Sequence, residues 1–224
     1  MSLRKRPQVA LIVETSRSYG RSLLRGVASF AHTRTNWSLL HQEMTIDTSL
    51  PSWITASSVS GVIARVDTRN IIPLRSMGVP IVDVRCHDTF LGIPQVETDD
   101  QAVSQLAFDH LWERGFRRFA YCGYKFAHYS QTRLRFFSQL VNRAGCPLSV
   151  YESSSQPNAT LTQVEERGQI DVAGMSAWLS TLTPPTGMFV CNDIRGQQVM
   201  NVCRSLDILI PDDIAVIGVD DDDA

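Results

Sequence analysis

Two stretches of this chain put polar side chains at the points where apolar runs stop. Met188 to Cys191 is apolar and ends in Asn192-Asp193, and Ile214 to Val219 is apolar and ends in Asp220-Asp221. Between them Val199, Val202, Cys203 and Leu206 recur at helical spacing, and Pro211 breaks the chain before the second run. The pattern reads as strand–helix–strand, with carboxylates and an amide at both strand ends. In an open α/β sheet ligands bind outside those carboxyl ends, so Asn192, Asp193, Asp220 and Asp221 are candidates for a small-molecule site. Carboxylates and amides accept or bridge hydroxyl protons, the chemistry that a ligand with vicinal hydroxyls requires.

Each candidate has a plainer reading beside it. Asp193 and Asn192 suit the N-cap of the helix that follows. Four successive aspartates make a solvated loop by default, which is the expectation for Asp222 and Asp223. The acidic run lacks the spacing of a calcium loop, and the five histidines show no zinc spacing, so no metal is expected. No nucleophile elbow, phosphate loop or dinucleotide fingerprint occurs, and no cofactor is expected. An enzyme would have to use a carboxylate pair such as Asp193 and Asp221 for glycoside chemistry, and a binding protein is the better reading.

The elements that position these groups alternate. Strands are expected at Gln8–Val13, Trp37–Gln42, Gly61–Val66, Pro80–Val84, Phe116–Gly123 and Leu148–Tyr151, besides the two runs above. Helices are expected at Tyr19–Thr33, Leu50–Ser57, Asn70–Met77, Gln101–Arg114, Gln131–Ala144 and Ile170–Leu182. Gly115 and Gly145 close two of them. The apolar stripe of the fourth is read as Val103, Leu106, Ala107, His110 and Leu111. Ser153 to Gly168 is polar and aperiodic and reads as a surface loop. The alternation implies an α/β protein with two doubly wound parallel-sheet lobes. The first lobe spans residues 8–99, residues 100–115 form a crossing helix, and the second lobe spans residues 116–224. Residues 1–7 read as a disordered tail.

With 224 residues, 43% apolar and 20% charged, the composition is that of an ordinary globular protein. A net charge of −2 gives no basic footprint for nucleic acid. Five scattered cysteines without a Cys-x-x-Cys fit reduced thiols, and Cys122 and Cys191 are expected to pack in the core. The four tryptophans are expected to pack likewise. No apolar stretch follows Arg4-Lys5-Arg6 at the length of an export signal, and none reaches the length of a membrane span. The expectation is a cytoplasmic protein with no membrane partner.

The chain resembles the sugar-binding domain of LacI/GalR-type regulators, which are periplasmic-binding-protein-like. Ile210-Pro211-Asp212-Asp213-Ile214-Ala215-Val216-Ile217-Gly218-Val219-Asp220-Asp221 follows the pattern of that family. So do Val96-Glu97-Thr98-Asp99-Asp100 and Arg114-Gly115-Phe116-Arg117-Arg118-Phe119-Ala120-Tyr121-Cys122-Gly123. Tyr19 to Val27 and Leu179 to Gly187 look like the branch formed by the xylose operon regulators, where an AraC-type DNA-binding domain follows the sugar domain. The resemblance implies an effector domain that closes on a monosaccharide, xylose favoured, and acts as a homodimer on operator DNA. The DNA would be held through a domain beyond residue 224, with the second lobe here incomplete. A stand-alone or periplasmic-type sugar-binding protein is the alternative.

The resemblance also adds site residues. Arg133 matches the sugar-binding arginine of the family, a clamp expected to be removable without harm to the fold. Ser16 and Asp83 fall where the LacI-type pattern places sugar contacts. Asp83 departs from the xylose branch, which has a small residue there, and it lies within an apolar strand, where an unpaired carboxylate is disfavoured.

Overall fold

The structure is a computed structural model, and it describes residues 6–43, 50–85, 90–125, 127–153 and 161–222. The chain divides into two units, residues 1–98 and 99–224. In the first, β1 (Gln8–Ile12) is followed by α1 (Ser18–Arg34), β2 (Ser38–Gln42), β3 (Gly61–Ala64), α2 (Ile71–Ser76) and β4 (Ile81–Asp83). All pairings are parallel, and the strand order is β2-β1-β3-β4. Ala10, Ile12, Val62, Ala64, Leu74 and Ile81 belong to its core.

The second unit repeats the plan. It runs α3 (Asp100–Glu113), β5 (Phe119–Tyr124), α4 (His128–Arg143), β6 (Leu148–Ser153), α5 (Leu161–Ile170), α6 (Val172–Leu179), β7 (Thr186–Val190), α7 (Asp193–Ser205) and β8 (Ile214–Ile217). Its sheet is parallel, in the order β6-β5-β7-β8. Side chains of a strand alternate between faces, so β5 feeds two cores. Phe119 and Tyr121 pack with Phe108 and Leu111 of α3 and Phe137 and Val141 of α4. Ala120 and Cys122 pack with Met175 and Leu179 of α6 and Val199 and Cys203 of α7. Burial on both faces explains why β5 and β7 read as continuous apolar runs.

The order 2-1-3-4 in both units has a consequence for the site. The strand order reverses between β1 and β3 in the first unit and between β5 and β7 in the second. At such a switch point adjacent connections leave on opposite faces and open a crevice at the carboxyl ends.

Four expectations are corrected. Residues 51–57 form turns rather than a helix; Ser58 Oγ accepts from the Thr55 N–H at 2.8 Å and donates to the Trp53 carbonyl at 2.7 Å, closing the segment locally. The loop read at Ser153–Gly168 contains α5, whose Val164 and Glu165 are buried; residues 154–160 lie outside the described residues. The helix read at Ile170–Leu182 begins only at Val172, separated from α5 by Asp171. The stripe of α3 is rotated: Asp100, Ser104, Ala107, Phe108 and Leu111 are buried, while Leu106 is 70% exposed and His110 is exposed. Ser104 accounts for the rotation, because its hydroxyl turns inward to the carbonyls of Asp100 at 2.7 Å and Arg133 at 3.2 Å. The tail read at residues 1–7 lies mostly outside the described residues, though the Pro7 carbonyl already accepts from Ser38 N–H.

Candidate functional site

The switch point of the second unit is built around Arg133. The residue lies one turn into α4, which leaves β5, and its side chain crosses toward the end of β7. Nε donates to Asp100 Oδ1 at 2.8 Å, and one terminal nitrogen donates to the carbonyl of Cys191. Both side chains of the Arg133–Asp100 pair are only 5% exposed. Burial alone would lower the arginine pKa, but the ion pair and hydrogen bond to Asp100, with Asp220 adding to them, raise it above its ordinary value. Arg133 also lies over the ring of Tyr129, 5.2 Å from its centroid.

Asn192 stands beside this arginine as the N-cap of α7. Its Oδ1 accepts from Arg195 N–H at 2.9 Å, and its Nδ2 donates to Tyr129 Oη at 3.1 Å. The capping alternative therefore holds for Asn192 rather than Asp193. Asp193 is the first residue of the helix. Its N–H donates to the Val219 carbonyl at 3.0 Å, and its Oδ2 accepts from Asp222 N–H at 2.9 Å. Asp222 is thus tied to the strand edge and not merely solvated. Asp220 and Asp221 follow β8 with exposed side chains and φ angles of 107° and 52°. Non-glycine residues seldom adopt such angles, and strain of this kind gathers at ligand clamps.

The first unit has a polar rim at the same end of its sheet. Ser16 is exposed and donates to Glu14. Across the switch point, an Arg65 terminal nitrogen meets Glu14 Oε2 at 3.2 Å, and the buried Arg65 Nε has no acceptor among the described residues. Asp67, after β3, pairs with Arg69 at 2.6 Å and Arg85 at 3.3 Å. Burial would raise the Asp67 pKa, but hydrogen bonds from the Arg69 side chain and from the backbone N–H groups of Arg69 and Asn70 hold it below the ordinary value.

Asp83, expected as a ligand contact, is met by donors of the protein itself. It is fully buried. Oδ1 accepts from the N–H groups of Val66 at 3.0 Å and Arg85 at 2.8 Å, and Oδ2 accepts from Gln95 Nε2 at 2.9 Å. A carboxylate is tolerated in this strand because these donors satisfy it, and it ties the loop after β3 to β4. Arg133 needs a correction too. Half of a buried ion pair cannot be removed without harm to the fold, since the partner is left as an uncompensated charge.

Asp100, Tyr129, Glu14, Arg65 and Asp67 escaped the sequence reading. Glu14 and Asp67 carried a usable signal, a charged residue just beyond an apolar run. Asp100 did not, because its partner lies 33 residues away.

The family model for the periplasmic binding protein-like domain matches residues 108–224, a span that begins within α3 and takes in Arg133, Asn192, Asp193, Asp220 and Asp221. The chain belongs to the periplasmic binding protein-like domain family. Among curated members, the xylose operon regulatory protein of Escherichia coli strain K12 is 28% identical over 231 residues, covering 98% of this chain and 56% of that one. Its Haemophilus influenzae counterpart is 25% identical, covering 96% of this chain and 56% of that one. A solved structure described as a xylose-binding transcription activator superposes with a TM-score of 0.77 at 26% identity, covering 99% of this chain and 56% of that one. This periplasmic binding protein-like chain thus spans about half the length of the regulators it matches. Those relatives are named as regulators. No helix among the described residues is long and apolar enough to cross a membrane.

Proposed function

We propose that this chain is the sugar-binding effector domain of a transcription regulator, with D-xylose or a close aldopentose as its effector. The observation that carries the reading is the crossing of the second unit's switch point by Arg133, with Asn192 and the strained Asp220-Asp221 turn beside it. A guanidinium next to carboxylates and an amide offers donors and acceptors matched to vicinal hydroxyls. The matches to xylose operon regulators favour xylose within that class.

Arg133, Asn192, Asp220 and Asp221 are the proposed contacts of the second unit, and Ser16 that of the first. Asp83 supports the rim without touching the ligand. The signal passes to operator DNA through a DNA-binding domain of AraC type, in a cytoplasmic homodimer. A thermal-shift panel of xylose, arabinose, ribose and glucose tests the reading. A ligand that binds only the folded state at 100 times its Kd adds about 2.7 kcal/mol to stability. A selective rise with xylose is expected, and no rise with any sugar would overturn the effector assignment.

A further inference from the structure

We propose that Asp193 is a positioning residue, a latch that holds the Asp220-Asp221 turn in its strained shape, and not a contact of the ligand. This rests on the effector reading above.

Three observations converge on it. The two ends of the latch are hydrogen-bonded in both directions: Asp193 N–H donates to the Val219 carbonyl at 3.0 Å, and Asp193 Oδ2 accepts from Asp222 N–H at 2.9 Å. These bonds bracket Asp220 and Asp221, the two residues with φ of 107° and 52°. Residues held at such angles persist only where their surroundings over-determine them. The other carboxylate oxygen is accounted for by close packing. A Cβ added to Gly218 would stand 2.2 Å from Asp193 Oδ1, so the glycine is what lets the carboxylate lie against the chain as it leaves β8. Gly218 does not have a positive φ, so close approach, rather than backbone freedom, is the reason for a glycine here.

The latch matters because the charge of Asp220 acts on Arg133. Fixing the turn fixes one acceptor of the site against its principal donor before any ligand arrives. Without the latch, ordering two residues in left-handed backbone must be done on binding, which lowers affinity. Asp193 thus commits its Oδ2 to the backbone, while the exposed Asp220 and Asp221 face the solvent side of the turn it holds.

The test compares Asp193→Asn, Asp193→Ala and Gly218→Ala by sugar titration and by amide exchange at Asp222. An asparagine keeps an oxygen for the Asp222 N–H, so Asp193→Asn retains affinity within about threefold, while Asp193→Ala loses about tenfold or more, the order of one hydrogen bond. Gly218→Ala displaces the carboxylate and matches Asp193→Ala, and the double variant Asp193→Ala/Gly218→Ala is no worse than either alone. Asp222 exchange is slow in the wild type and Asp193→Asn and fast in Asp193→Ala, with no sugar present. If Asp193→Asn loses as much affinity as Asp193→Ala, the carboxylate charge meets the ligand and the latch is overturned. Unchanged Asp222 protection in a folded Asp193→Ala protein overturns it as well. If the wild type binds no sugar, the effector reading fails, and the exchange experiment still decides the latch.

Discussion

Replacing Asp100 by alanine removes one partner of the Arg133 ion pair. Both side chains are 5% exposed and the Nε–Oδ1 distance is 2.8 Å, so solvent screens the pair little. Breaking a buried pair from one side costs about 3–5 kcal/mol, because the remaining charge is left uncompensated. Arg133 keeps the Cys191 carbonyl and the field of Asp220, which points to the lower end of that range. Asp100 also stands in the first turn of α3, where a negative charge contributes roughly 0.3–1 kcal/mol against the helix dipole. A net loss of about 3 kcal/mol lowers the melting temperature of a chain this size by roughly 6–12 °C. Because two units can unfold separately, the second should be followed alone. Replacing Trp37 and Trp53 by phenylalanine leaves the fluorescence to Trp112 and Trp178, which belong to the second unit. Asp100→Leu combined with Arg133→Met, which removes both charges, should recover most of the loss. A change below about 1 kcal/mol for Asp100→Ala would refute the reasoning, since an isolated charge in a site this dry cannot be so cheap.

Three further outcomes follow from the same geometry. The folded-state pKa of Asp67 is depressed, so its contribution to stability is fully present above the unfolded value of about 3.9 and is lost as the pH falls below that value through the lower folded-state pKa. Stability of the first unit, followed by circular dichroism, should therefore fall less steeply on acidification below about pH 4 in Asp67→Asn than in the wild type. A Cβ at Gly168 would lie 2.6 Å from the Tyr124 ring and 3.0 Å from an Arg195 nitrogen, so Gly168→Ala should cost about 1–3 kcal/mol in urea melts by overpacking. Asn192→Ala removes the cap of α7 and should cost about 1 kcal/mol of stability, with a loss of sugar affinity in titration on top.

Much of the architecture was legible because the strands of the second unit are buried on both faces and the helices between them carry helical periodicity. β5, β7, α4 and α7 fall close to where apolar runs and glycine stops place them. The failures have local causes. The segment Leu50–Ser57 reads as a helix in the sequence, and the short hydrogen bonds of Ser58 close turns there instead. α5 was hidden because its buried face includes Glu165, a residue that periodicity counts as polar. Within the site, Asn192, Asp220 and Asp221 announced themselves by position after apolar runs. The buried Arg133–Asp100 pair did not, because a contact between two helices separated by a strand leaves no pattern in either. The LacI-type pattern singles out Asp83, and its donors Val66, Arg85 and Gln95 leave no sign in the sequence. Arg195 is a further case: it is fully buried, two of its side-chain nitrogens meet no oxygen acceptor among the described residues, and its ring neighbours Tyr124 and Tyr151 come from separate strands.

The most direct measurement is a calorimetric titration of D-xylose into the wild-type protein and into Asp220→Asn, with ribose and glucose as comparisons. Asp220 is exposed and its charge acts on Arg133, so the melting temperature of Asp220→Asn is measured alongside to separate binding from folding. Saturable one-site binding of xylose, tighter than ribose and glucose and weakened about tenfold or more in Asp220→Asn, is the expected result. Absence of binding by any of the three sugars to the folded protein, or xylose binding that is indifferent to Asp220, would contradict the assignment of this rim as a monosaccharide site.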